Sequence, residues 1–216
     1  MARYLQAKCR RCRAENQKLF LKGERCSTVK CPIDKKDSLL RKGPPGKATG
    51  FRMKKMSVFG IQLKEKQKVK QMYGVLERQF RRYFRLANAQ KGVTGDNLVR
   101  ILESRLDNIV YRMHFATSRS QARQIILHGH INVNGRKVDI PSYNVKEGDV
   151  ISVKERSKKS VVILDALKLI NSQGVVPWLE VDIDNGKGVV KQLPRRSEVL
   201  DLANINEQLI VELYSK

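Results

Sequence analysis

A chain of 216 residues with 44 Lys and Arg against 21 Asp and Glu carries a net charge of +23 and an isoelectric point near 10.2, a balance that seeks a polyanion rather than a neutral small molecule. Its length and 41% hydrophobic content suit one large or two small domains, two compact units being the expectation, and exclude a large enzyme with accessory parts. No apolar run approaches the roughly 20 residues that span a bilayer, and MARYLQAK lacks the apolar stretch of a secretory signal, so a cytosolic protein with no membrane partner and no structural disulfides is expected.

The charge is regional: residues 1–100 hold 27 basic and 7 acidic groups, and residues 101–216 hold 17 and 14. All four cysteines fall in the basic half. Cys9 and Cys12 form Cys-x2-Cys, and after thirteen residues Cys26 and Cys31 form Cys-x4-Cys. Two short-spaced thiol pairs separated by a loop are how a tetrahedral zinc ion is held, with thiolates at about 2.3 Å and no open coordination position. Such a site folds a segment too polar for its own core and catalyses nothing. Four thiolates around one divalent ion leave a local charge of about −2, which Arg10, Arg11, Arg13 and Arg25 are placed to offset. The competing reading is four unrelated thiols; a redox dithiol lacks the strand-then-helix context it requires.

Residues 35–57, KKDSLLRKGPPGKATGFRMKKMS, read as an irregular basic connector, either a solvated linker or an extended contact with a phosphate backbone. Its neighbours favour the contact, with Lys54 and Lys55 as candidates. In VKQMYGVLERQFRRYFRLANAQKG, apolar residues at Val69, Met72, Tyr73, Leu76, Phe80, Tyr83, Phe84 and Ala87 repeat as one face of a single helix. Arg78, Arg81, Arg82 and Arg85 make a stripe with Glu77 as its one acidic neighbour, a ridge suited to phosphates.

A second helix is expected from near Asp96 through Met113, burying Leu98, Leu102, Leu106 and Ile109. Ser118 and Gln121 have capping-box spacing and Gly129 suits a helix end, which predicts a short helix over about 119–127. INVNGRKV then reads as a hairpin turning at Asn134-Gly135, and VKEGDVISV as a turn into a strand at Val150–Val153. An apolar helix around Val162–Ile170 follows. Leu179, Val181 and Ile183 alternate with Glu180, Asp182 and Asp184 as a strand, and NGKG turns it toward Val189 and Val190. Gly186 and Gly188 are read as this turn, not as a phosphate loop. NINEQLIVELYSK is a terminal helix with Asn206 near its cap.

The stretch LESRLDNIVYRMHFATSRSQARQIILHGHINVNGRKVDIPSYNVKEGDVISV, with NEQLIVELYSK at the end, MARY at the start and the four cysteines, resembles the ribosomal protein four family of the bacterial small subunit, founder of the S-four RNA-binding domain. The likeness covers nearly the whole chain and is to the zinc-bearing branch. It implies an α+β fold: a zinc-binding segment over 1–45, a basic helical domain over 46–94 joined by 195–216, and an S-four domain with a hairpin extension over 95–194. It further implies binding to small-subunit ribosomal RNA at a helix junction in the 5′ region, nucleation of the subunit body and contact with ribosomal protein five. That contact bears on decoding accuracy, with a functional link to protein twelve, and some relatives repress their own mRNA. On the family's RNA-facing surface the matching positions are Arg119, Arg123, Gln124, His128, Asn134, Arg136 and Lys137; for His128, capping its helix is an equal alternative. LDLAN, residues 200–204, is less acidic and poorer in proline than the family pattern before the terminal helix.

Ser104–Asp107, SRLD, also resembles the surroundings of the catalytic aspartate in pseudouridine synthases, some of which carry an S-four domain. No block of residues is left for the catalytic domain such an enzyme needs, and the three histidines sit near no matched nucleophile, so no catalytic residues are expected. A free RNA chaperone would explain the S-four segment without the cysteines and the arginine helix. A duplex-DNA reader lacks a recognition helix.

Overall fold

The structure, a computed structural model, describes residues 4–34, 45–46 and 55–215. Lys54 and most of the basic connector lie outside the described residues. The helices are α1 (Lys8–Glu15), α2 (Val58–Met72), α3 (Glu77–Ala89), α4 (Thr94–Glu103), α5 (Leu106–Arg112), α6 (Arg119–Leu127), α7 (Glu155–Lys158), α8 (Val161–Lys168), α9 (Ile170–Gln173) and α10 (Glu207–Ser215). The strands are β1 (Ile131–Val133), β2 (Arg136–Lys137), β3 (Val150–Val153), β4 (Leu179–Asp182) and β5 (Lys187–Val190). The fold is α+β, as expected. The chain divides into two compact units, Met1–Arg85 with Asp201–Lys216, and Leu86–Leu200.

In the first unit, the pattern read as one helix from Val69 to Ala87 is two. α2 stops at Met72 because Gly74 adopts the left-handed conformation at φ +63, its N–H bonding Gln71 O while the Val75 N–H reaches Lys70 O. A glycine without a Cβ takes that conformation at little cost, and the crossed bonds satisfy carbonyls at the helix end. The restart shifts the apolar phase: Val75 is buried, and Leu76, expected inside, is 40% exposed.

α10 packs on α2 and closes this unit. The Tyr214 ring centroid lies 4.6 Å from that of Phe84 and 6.4 Å from that of Phe80. The Tyr214 hydroxyl donates to Glu77 Oε1 at 2.9 Å, and the same carboxylate accepts from Lys66 at 2.7 Å and Lys70 at 2.9 Å. Gln62 donates to Glu212 at 2.9 Å, and the Asn206 side chain caps α10 by accepting from the Gln208 N–H at 3.0 Å.

In the second unit, five antiparallel strands run in the order β2-β1-β3-β5-β4. The β1–β2 turn is Asn134-Gly135, both at positive φ (49 and 77), a two-residue turn whose twist matches its strands. β4 and β5 pair through an Asn185-Gly186 turn and join the sheet at Val150↔Val189. Gly188 serves close packing: a Cβ there would lie 2.6 Å from Met113 Sδ and 3.1 Å from Glu180 O. Ile131, Val133, Ile151, Val153 and Val190 are buried along the sheet, and Leu98, Leu102, Leu106, Ile109, Met113 and Ile126 along the helices.

The helix expected from near Asp96 to Met113 is broken into α4 and α5. The N–H groups of Leu106 and Asp107, which a continuous helix would send back four residues, donate instead to Tyr143 O at 2.9 Å and Pro141 O at 3.0 Å. The Val145 N–H returns to Ser104 O at 2.8 Å. The break thus ties α5 to the loop preceding β3.

Burial works against ionising Glu77, but hydrogen bonds from Lys66, Lys70 and Tyr214 outweigh it and hold the carboxyl down to about 2. A group depressed on folding adds stability that is complete above its ordinary value of 4.5 and is lost as the pH falls toward 2. Glu77→Gln should therefore lower the melting temperature by about 2–4 °C at pH 7. The deficit should shrink as both proteins are melted at pH values approaching 2; an undiminished deficit there would overturn the ion-pair account.

Candidate nucleic-acid interface

On α3, Arg78, Arg81, Arg82 and Arg85 are all exposed, opposite the buried Phe80, Tyr83 and Phe84. Glu77, the acid that the sequence offered them, is taken up by Lys66, Lys70 and Tyr214. Among the described residues, none of the four guanidinium groups is ion-paired. Four like charges on one short helix repel one another unless an anion arrives, and guanidinium forks match phosphate oxygens. Lys55, ahead of α2, is also exposed.

The second region is the cysteine segment. Cys9 and Cys12 occupy one face of α1, Cys26 ends a 3-10 turn over Gly23–Cys26, and Cys31 follows a turn in which its N–H bonds Thr28 O at 3.0 Å. All four line a cavity of about 20 Å³ with Lys22, Arg25, Pro32 and Ile33. Cys12, Cys26 and Cys31 are buried. The Lys22 N–H donates to Cys26 Sγ at 3.4 Å. Burial pushes the Cys12 and Cys26 thiols up, with the neighbouring sulfurs adding to it, so a cation held there would have to displace their protons. The donor set suits a structural zinc ion: four soft ligands, one small cavity, backbone donation to sulfur. As they stand, the side chains do not close into a ligand set, and among the described residues no group of three or more His, Cys, Asp or Glu is arranged to hold a metal. Around the cluster, Arg10 and Arg25 are exposed, Arg13 is half-buried, and the Arg11 guanidinium lies 3.5 Å from the centroid of the Tyr4 ring.

The third cationic surface is α6 with the hairpin after it. Ser118 Oγ accepts from the Gln121 N–H at 3.4 Å, and Gln121 Oε1 accepts from the Thr117 N–H at 2.6 Å, so the expected capping box closes one residue earlier. Gly129, at φ +72, ends the helix, and the Lys137 stem crosses it where a Cβ would stand. Gln124, His128, Arg136 and Lys137 are exposed. His128 is the C-cap residue of α6.

The other three positions face inward or are engaged. Arg119 donates to Asn108 Oδ1 at 2.8 Å, its guanidinium 4.7 Å from the centroid of the Tyr111 ring. Arg123 is buried, 3.8 Å from Asp107. Asn134 donates to Asp149 Oδ1 at 2.9 Å and accepts from the Val150 N–H at 2.9 Å, which locks the turn to β3. The Asp107 carboxylate also accepts from Arg105 Nε at 2.9 Å, and the buried Glu103 pairs with Arg112 at 3.0 Å. Asp107 is thus enclosed by arginines rather than open to a substrate.

Sequence reasoning passed over Gln121, His130 and Ser160, which with Gln124, His128 and apolar Ile125, Val162 and Ile163 line a hollow of about 230 Å³. It also passed over the exposed Arg156 and Lys159, which flank Ser157, whose hydroxyl lies 2.8 Å from His130 Nδ1. The run KERSKKS and the spacing 121, 124, 128 along one helix face were the available signals.

Residues 3–103 match the ribosomal protein S4/S9 N-terminal domain, and residues 104–151 match the S4 domain. The small ribosomal subunit protein uS4 of Desulfotalea psychrophila is 55% identical over 216 residues, covering 100% of both chains. The proteins of the same name from Maridesulfovibrio salexigens and Geobacter sp. (strain M21) are 56% and 52% identical over the same full span. Two family domains in succession and more than half of all positions shared from end to end show that this chain belongs to the small ribosomal subunit protein uS4 family.

Proposed function

We propose that the chain is a structural, non-catalytic constituent of the small ribosomal subunit, at work in the cytoplasm, that grips the subunit's RNA through many separate phosphate contacts. The observation that carries this reading is the arginine face of α3, without ion pairs among the described residues while Glu77 is spent on lysines. Gln124, His128, Arg136 and Lys137 supply a second patch, where exposed polar groups recognise RNA by shape and sugar contacts. The same reading extends to a helix junction in the 5′ region of that RNA, to nucleation of the subunit body, and to contact with ribosomal protein five in support of decoding accuracy. The cysteine cluster holds one zinc ion through Cys9, Cys12, Cys26 and Cys31, which supplies a fixed frame for Arg10, Arg11 and Arg13. A pseudouridine synthase reading finds no support, since Asp107 is bound by Arg105 inside the protein.

Binding to small-subunit RNA, followed by filter retention across a salt series, should weaken steeply with salt. Replacing Arg81, Arg82 and Arg85 by Ala should lower the log-log slope by about 2–3, roughly one unit for each phosphate no longer neutralised. A slope unchanged by the triple substitution would remove the arginine face from the interface. Metal analysis of the purified protein should find one zinc per chain, released by Cys9→Ser or by Cys31→Ser. Protein that purifies folded and without zinc would overturn the metal assignment.

A further inference from the structure

We infer that the hollow between α6 and α8 seats one unpaired nucleobase of the bound RNA. The inference rests on the ribosomal reading and adds to its phosphate contacts a contact of another kind. The hollow, about 230 Å³, is smaller than the roughly 300–1,000 Å³ that holds a drug-sized molecule, and it suits a single flat ring system. It is lined by apolar Ile125, Val162 and Ile163 together with amide, hydroxyl and imidazole groups, and no Lys, Arg, Asp or Glu is among them. A phosphate would find no lysine or arginine inside. A base, apolar on its faces and polar along its edge, matches both parts of the lining.

The polar groups of the lining have bonds left to give. The Thr117 N–H and hydroxyl both meet Gln121 Oε1 at 2.6 Å, so the Gln121 amide nitrogen remains a spare donor. Ser160 is the N-cap of α8, but its hydroxyl does not cap the helix as a serine there ordinarily does. The side chains of Gln124 and His128 make no hydrogen bond among the described residues. His130 Nδ1 lies 2.8 Å from Ser157 Oγ, which fixes the ring and leaves Nε2 over, and the His128 ring stands 6.0 Å away, centroid to centroid, at 61°. Imidazoles that stack and amides that read an edge are the groups by which unstacked RNA bases are held. Lys159, next to Ser160, and Arg156 are exposed and without an ion pair among the described residues, and so are placed to take the phosphates that accompany the base. No acid lines the hollow or stands next in the chain to a residue that does.

Filter retention of full-length Gln124→Ala and Val162→Trp on small-subunit RNA should show affinity about tenfold below that of the unsubstituted chain at each salt concentration, with the log-log slope the same, because neither change removes a charge. Probing of base edges with dimethyl sulfate and carbodiimide, at saturating protein, should find one unpaired nucleotide that the unsubstituted chain protects and both variants leave reactive. A reduced slope, an unaltered affinity, or protections alike in all three proteins would overturn the base site and leave the ribosomal reading standing. If the unsubstituted chain neither binds nor protects the RNA, both fail together. Equilibrium dialysis with the four mononucleotides at millimolar concentration should find no binding. Binding that Val162→Trp abolishes, with the RNA protections unmoved, would give the hollow to a free nucleotide and overturn the RNA assignment. Should Val162→Trp fail to fold, Gln124→Ala, at an exposed position, decides.

Discussion

The structure depends on where its few carboxylates go. Glu77 sits at the head of the arginine helix, yet its oxygens are drawn inward by Lys66, Lys70 and Tyr214. Glu103 and Asp107 are likewise enclosed by Arg112, Arg105 and Arg123. Acids used in this way hold elements together, and with Glu77 committed to lysines the arginines of α3 face outward with no ion pair among the described residues. A buried ion pair adds little net stability over apolar packing, but breaking one is costly, and that asymmetry fixes which arginines are structural and which stay free to bind.

Local chemistry was the part of the fold legible in the sequence. Asn134-Gly135, the Ser118 cap, Gly129 and the alternation of Leu179 with Glu180 each specify a conformation through neighbours a few residues away, and each element appears. The two helix breaks were of a different kind. Gly74 carried its own signal, but apolar residues at helical spacing on both sides of it masked the break. The break at Ser104–Arg105 had no local signal, because the carbonyls that compete for the Leu106 and Asp107 N–H groups belong to residues near 141–143.

The candidate interface divides along the same line. Exposure of the α3 arginines follows from helical periodicity, and their lack of ion pairs among the described residues from the scarcity of acids nearby in sequence. Arg119, Arg123 and Asn134 were chosen by resemblance and residue type, and neither reports the long-range partners Asn108, Asp107 and Asp149 that engage them. All four cysteines, singled out by their spacing, line one cavity. The hollow between α6 and α8 was visible only once the fold brought Ser160 and Val162 beside Gln124 and His128.

The docking of α10 sets an order on synthesis. Tyr214 meets Glu77 across a separation of 137 residues, so α10 completes a core begun by α2 and α3. A nascent chain therefore emerges with its cationic helices incompletely packed, and the intervening S4 sheet, built from contacts nearer in sequence, is free to fold first. The first unit gains this packing only once residues 207–215 are present, so a chain cut before them would carry the charge without the frame.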